Sequence, residues 1–341
     1  MRIRTPYKTC AESIELPRII RLKDNFYVAA FSLMKLLPAR FILSQARNEE
    51  LVGPNSVIIE TTSGTFGLSL ALACKQNNYS LILVSDPAID TTLKRRLEDL
   101  GAVVEIIQKP STKGGFQQAR LNRVNQLRAL YPNHFWPSQY DNPYNPGAYA
   151  PFAELLAESI GHVDCLVGTV GSGGSVCGTS SYLRVLFPEL YVIGVDTHGS
   201  VIFGHSDEKR MLRGLGNSLI PRNVTHTTFN EIHWINASEA FYSTRLLHQK
   251  YGLFMGGTSG ASHMAADWYA QENPEKVVVA ILPDEGYRYQ NTIYNDDWLC
   301  SQGIKLSSLT EEPETVLHPH KIKSHWSRLA WNRRTYEQVV K

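Results

Sequence analysis

Two short turns rich in glycine, serine and threonine are where residue type and spacing in this chain could do chemistry. ETTSGTFG (60–67) and GTVGSGGSVCG (168–178) each stand between an apolar run and a helical pattern. In the second, glycines at 168, 171, 173, 174 and 178 allow a backbone that comes close to something, and Ser172 and Ser175 add hydroxyl donors. A turn between a strand end and a helix start aims its N–H groups and the positive end of the helix dipole at one point, which makes an anion site. A dinucleotide fingerprint needs a third glycine where Val176 stands, although Asp196 occupies a tempting place after the next strand. No GK[ST] follows for a triphosphate loop. What remains is a compact phosphomonoester over Gly171, Ser172, Gly173, Gly174 and Ser175. A glycine turn that only packs a helix on a sheet is the plainer alternative, as is a simple N-cap for the TTSG run.

The elements that must position these turns alternate between β-rich runs and helical spacing. SVIIETT (56–62), SLILVS (80–85) and VVEII (103–107) read as strands, with helices over 67–76, 90–100 and 117–130. The alternation resumes with DCLVGTV (164–170), a helix over 176–186, YVIGVD (191–196) and VVVAILP (277–283). Such repetition predicts an α/β protein with parallel sheets, whose ligands sit in a cleft beyond the carboxyl ends of the strands. The proline-rich segment WPSQYDNPYNPGAY (136–149) breaks the pattern and marks the crossing between two such units. The expected division is a smaller, mobile subdomain over 40–150, a larger one from 1–39 with 151–310, and a basic tail over 311–341.

With 341 residues, 43% of them hydrophobic and 19% charged, the chain has room for two subdomains around a sizeable core. A net charge of +2 is too mild to make nucleic acid or an anionic membrane the main partner. Cysteines at 10, 74, 165, 177 and 300 are scattered and form no CxxC, which argues against a disulfide framework and a thiolate zinc site. They read as reduced thiols of a cytoplasm. No window has the apolar length of a signal peptide or a membrane span, so export and insertion are not expected. From His318 onward six Lys/Arg face one acid, with Trp326 and Trp331 interleaved. A tail packed on the body or on a dimer partner is favoured there over nucleic-acid binding, and HPH at 318–320 lacks a third metal ligand.

ETTSGTFG resembles the substrate loop of the cysteine synthase and cystathionine β-synthase family, pyridoxal phosphate (PLP) enzymes of fold type II, and GTVGSGGSVCG resembles that family's phosphate loop. The resemblance continues through SQYDNPYNPGA (138–148), RGLGNSLIP (213–221), GGTSGAS (256–262) and ILPDEGYRY (281–289), in order along roughly residues 15 to 300. It implies two open, twisted parallel-sheet subdomains flanked by helices, with the active site in the cleft between them, and a homodimer. FWPSQYDNP, VDTHGSVIFG (195–204) and KLLPAR are further similar to the siderophore-pathway branch, whose enzymes join O-phospho-L-serine to L-glutamate on the way to 2,3-diaminopropionate.

The resemblance also assigns roles. Lys35, 27 positions before Thr62, is implied as the lysine that holds pyridoxal 5'-phosphate as a Schiff base and moves the α-proton. It lies in the apolar stretch AAFSLMKLLPARFIL, where a buried ammonium is costly unless neutralised or used chemically. The flanking residues depart from the family's S-x-K-D-R, since Ser32 is one place early and Leu36 replaces the acid. Thr62, Ser63, Gly64, Gln139 and Gly214 are implied at the substrate, and Gly171 to Ser175 at the cofactor's phosphate. Thr65 stands where the family has an asparagine against the cofactor's ring oxygen, Phe66 replaces a threonine, and Thr258 aligns with the hydroxyl facing the ring nitrogen. Asp284 and Glu285 replace the serines of cysteine synthases, or are only turn residues.

The activity so implied is β-replacement on an O-activated L-serine, O-phospho-L-serine or O-acetyl-L-serine, through an α-aminoacrylate. An amine nucleophile such as L-glutamate would give a 2,3-diaminopropionate precursor. The alternatives are a cysteine synthase that uses sulfide, and a decayed homologue that only binds a ligand or partner. A dehydrogenase ranks last because Val176 breaks its fingerprint.

Overall fold

The computed structural model describes residues 6–62, 64–112, 114–306 and 310–340. The chain forms two compact units, one from 1–17 with 31–138 and one from 18–30 with 139–341. Relative to the division expected from the sequence, 1–17 and 31–39 lie with the smaller unit and 139–150 with the larger. The 18–30 segment is in the larger unit because its antiparallel hairpin, β1 (Arg18–Lys23) and β2 (Phe26–Ala30), pairs into that unit's sheet.

In the smaller unit β3 (Val57–Thr61), β4 (Ser80–Ser85), β5 (Ala102–Ile106) and β6 (His134–Phe135) make a parallel sheet of order β5-β4-β3-β6. Ile59, Ile82 and Val84 pack under Val124 and Leu127 of the helix Gly115–Leu130. Helices Leu36–Asn48 and Thr65–Asn77 pack on each other, so the segment after Lys35 and the segment after the first glycine turn share one layer.

The larger unit adds β7 (Cys165–Thr169), β8 (Tyr191–Asp196), β9 (Glu231–Trp234), β10 (Val278–Leu282), β11 (Glu314–Thr315) and β12 (Ser327–Ala330). The sheet runs β1-β2-β10-β7-β8-β9-β12-β11, parallel from β2 to β9. Cys165 to Thr169 and Val278 to Leu282 are buried throughout, as strands covered on both faces must be, hence their unbroken apolar sequences. Helix Ala237–Tyr251 starts on a reciprocal cap, Asn236 with Glu239, and helix Gly257–Glu272 packs against it and on β10.

The basic C-terminal segment is part of this body. β12 joins β9 antiparallel, and Trp326 and Trp331 are buried. Trp326 Nε1 donates to His233 Nδ1 at 2.9 Å, which leaves the proton on Nε2 to be donated to Glu231 Oε1 at 2.8 Å. Tyr191 and Arg328 also donate to Glu231. Burial pushes that carboxyl up, but His233, Arg328 and Tyr191 outweigh it and hold it below its ordinary value.

Candidate active site

Lys35 is the residue immediately before helix Leu36–Asn48, half-buried among the buried Leu33, Met34, Leu36 and Leu37. That surrounding makes a charged amine expensive and an amine engaged in chemistry reasonable.

The turn after β3 closes on itself. Thr62 is buried, and its Oγ1 accepts the amides of Gly64 at 3.1 Å and Gly67 at 3.2 Å. With its lone pairs held by two N–H donors, the hydroxyl has its own proton to give, and within the turn it makes a long bond to Gly64 O at 3.4 Å. Gly64 is the N-cap of helix Thr65–Asn77, and its amide is taken by Thr62 and so is not left for a substrate. Thr65, half-buried, opens the helix, and Phe66 behind it is fully buried. Ser63 lies outside the described residues. At the carboxyl end of the next strand, buried Arg120 reaches Asp86 at 3.3 Å while its Nε has no partner among the described residues. No sequence signal marked this cation, one of several arginines on a helix.

The turn after β7 is built in the opposite way. None of the amides of Gly171, Ser172, Gly173, Gly174 and Ser175 has an acceptor among the described residues. They precede or open the helix Gly174–Leu186, so their partial positive charge adds to that of the helix end. Gly173 has φ +85, and a Cβ there would lie 2.5 Å from the carbonyl oxygen of Asn223. A Cβ on Gly174 would collide with the Asn145 side chain. Backbone packed this closely leaves the amides as the available chemistry of the turn.

Around it the larger unit assembles other residues the sequence singled out. A Cβ on Gly171 would lie 2.8 Å from Gly214 O, and one on Gly214 3.4 Å from Thr258 Cγ2. Gly171, Gly214 and Thr258 are therefore neighbours. Thr258 is buried near the start of helix Gly257–Glu272, and its hydroxyl makes no hydrogen bond among the described residues. Buried Gln139 receives the side-chain amides of Asn145 at 2.5 Å and Asn223 at 3.1 Å on its main-chain oxygen. Asn145 and Asn223 were missed as site residues, although the NPYNP run containing Asn145 was visible. Asp284 is more than a turn residue. It is buried, it accepts from Tyr289 Oη at 2.7 Å, and its carbonyl holds the Gly256 amide ahead of Thr258.

A cradle of unsatisfied amides with serine hydroxyls, and a neutral buried hydroxyl next to it, fit the phosphate and the ring nitrogen of pyridoxal phosphate. A family model described as pyridoxal-phosphate dependent enzyme matches residues 4–284, and the chain belongs to that family. An N-(2-amino-2-carboxyethyl)-L-glutamate synthase of Cupriavidus metallidurans is 34% identical over 268 residues, 77% of this chain and 79% of the relative. One of Ralstonia nicotianae is 31% identical over 302 residues, 85% of this chain and 89% of the relative. The crystal structure of cysteine synthase from Entamoeba histolytica superposes with a TM-score of 0.78 at 26% identity, covering 86% of this chain and 92% of that one. Within its family the chain is a β-replacement enzyme of the cysteine synthase kind, with pyridoxal phosphate as cofactor.

Proposed function

We propose that this enzyme replaces the β-substituent of O-phospho-L-serine or O-acetyl-L-serine with the amine of L-glutamate, which yields a 2,3-diaminopropionate precursor for siderophore or related synthesis. The observation that carries this reading is the likeness to the two N-(2-amino-2-carboxyethyl)-L-glutamate synthases over 77% and 85% of the chain. The chemistry that pyridoxal phosphate supplies when bound is an electron sink, which acidifies the α-carbon of the amino acid and lets the β-substituent leave. Lys35 would hold the cofactor and carry the α-proton at Nζ. The 171–175 amides, with Ser172 and Ser175, would bind the phosphate. Thr258 would present a neutral hydroxyl to the ring nitrogen, with Thr65 near the ring oxygen.

Thr62, whose oxygen accepts two amides and whose proton makes only a long bond to Gly64 O at 3.4 Å, would turn that proton to the substrate carboxylate. Gln139, Ser63 and Gly214 complete that proposed set, without Gly64, whose amide Thr62 takes. Arg120, whose charge Asp86 balances, keeps a buried Nε–H without a partner among the described residues, a directed donor for an anionic serine ester such as the phosphoserine. The reading takes the protein as a cytoplasmic homodimer acting on small amino acids, without nucleic-acid or membrane partners. The mild net charge and scattered cysteines support it.

The test is to mix purified holoenzyme with each serine ester and either L-glutamate or sulfide, and to follow the visible spectrum and the products by mass spectrometry. The expected product forms with glutamate. Cysteine formation with glutamate left unconsumed would replace this reading with a cysteine synthase.

A further inference from the structure

We propose that Asn145 is a positioning residue that makes the Ser172 hydroxyl a hydrogen-bond donor toward the anion held by the 171–175 turn. The inference rests on the cofactor reading above. Asn145 is buried, and its side-chain amide has one tenable orientation. Its Nδ2 group faces two acceptors, Gln139 O at 2.5 Å and Ser172 Oγ at 3.3 Å, whereas the flipped amide would set oxygen against oxygen. The price of this orientation is visible, because Asn145 Oδ1 stays buried without a partner.

A serine hydroxyl is a rotor that either donates or accepts in a given direction. Because Asn145 donates to Ser172 Oγ, one lone pair is occupied and the Ser172 proton is free to turn elsewhere. The backbone on both sides of the turn is fixed as well. Asn145 packs against Gly174, and the Asn223 main chain packs against Gly173. Both asparagine side chains hang from the Gln139 carbonyl, Asn223 at 3.1 Å. Ser172 is thus bounded by pinned neighbours, and the Asn145 bond removes one direction from its hydroxyl, leaving the proton to be given on the other sides. The neighbouring amides 171–175 point to the same class of ligand, a phosphate, so a serine held as donor adds one directed bond to them.

The full-length protein, stripped of cofactor, is titrated with inorganic phosphate by calorimetry as wild type, Asn145→Ala, Ser172→Ala and the double variant. Each single change is expected to weaken phosphate about tenfold, the value of one hydrogen bond to a charged group. The double variant is expected to be no weaker than Ser172→Ala, because Asn145 acts through that hydroxyl. A loss of about a hundredfold in the double variant, or wild-type affinity in Asn145→Ala, overturns the assignment. Should Asn145→Ala fail to fold, Asn145→Asp decides the matter. It has the same size but no N–H to give, and its expected loss exceeds tenfold, so wild-type affinity there overturns the proposal. If the wild type itself takes no phosphate, the cofactor reading of the turn fails, an outcome distinct from failure of Asn145 alone.

Discussion

The turns that follow β3 and β7 are spelled with the same residue types, and only the first is capped by a side chain of its own. After β3, Thr62 supplies an oxygen that takes the amides of Gly64 and Gly67, and only those of Thr65 and Phe66 have no acceptor among the described residues. After β7 no side chain does this, and the amides from 171 to 175 have no acceptor among the described residues. Glycine serves different ends in the two places. Gly67 makes room for the Thr62 methyl group, while Gly173 and Gly174 make room for neighbouring segments at Asn223 and Asn145. A strand, glycine turn and helix therefore report close approach of backbone, and the position of the capping hydroxyl decides whether the amides are spent inside the chain or kept for a ligand.

The comparison breaks most readily at Gly173. Gly173→Ala forces a side chain into φ +85, with its Cβ 2.5 Å from Asn223 O. Cofactor affinity, titrated by absorbance in the visible region, should fall on the order of a hundredfold or more, since both strain and steric conflict oppose the native turn. Near-normal affinity would mean that the turn is not the phosphate site.

A smaller effect should follow from Thr62→Val, which removes the oxygen that caps the first turn. Stability is expected to drop by about 1–2 kcal/mol, read as a lower midpoint in urea, while cofactor affinity changes little. If cofactor binding collapses instead, the two turns are not the separate devices described.

The smallest effect sharpens the contrast with a third strand end, that of β8, where buried Asp196 accepts the amide of Thr197. Burial raises its carboxyl to about 7, against smaller lowering effects from Thr197, Ser200 and Arg210. A folded-state value above the unfolded one of about 4 means that the native state holds the extra proton. The associated stability is complete below about pH 4 and fades as pH rises through about 7. Asp196→Asn should therefore flatten the decline between about pH 4 and 7, by on the order of 1 kcal/mol per pH unit, in melting curves across that range. Parallel curves for the two proteins would show that Asp196 does not titrate there.

Much of the fold was legible because parallel α/β architecture writes itself in short apolar runs. YVIGVD forms β8 over its full length, and the 117–130 reading matches helix Gly115–Leu130 within two residues. Helices Ala237–Tyr251 and Gly257–Glu272 were not drawn, because His, Ser, Thr and Gly interrupt their apolar spacing even where they are buried. The division between units departs from expectation at 1–17, 31–39 and 139–150: of the first 39 residues only the hairpin over 18–30 joins the larger unit's sheet, and no local pattern announces that the chain on either side of it belongs elsewhere. At the site, glycine and hydroxyl residues stood out by density. Arg120, Asn145 and Asn223 did not, because their meaning lies in the acceptors they meet in three dimensions.

β2 offers a last consequence. It lies at residues 26–30 and pairs with β10 at 278–282, so during synthesis an early strand must wait on the ribosome for nearly the whole chain to emerge. The smaller unit's sheet, from β3 to β6, is complete far sooner. Until β10 arrives, the growing chain carries a hairpin with one apolar edge unpaired, a template for unwanted association that a chaperone or rapid elongation would shield.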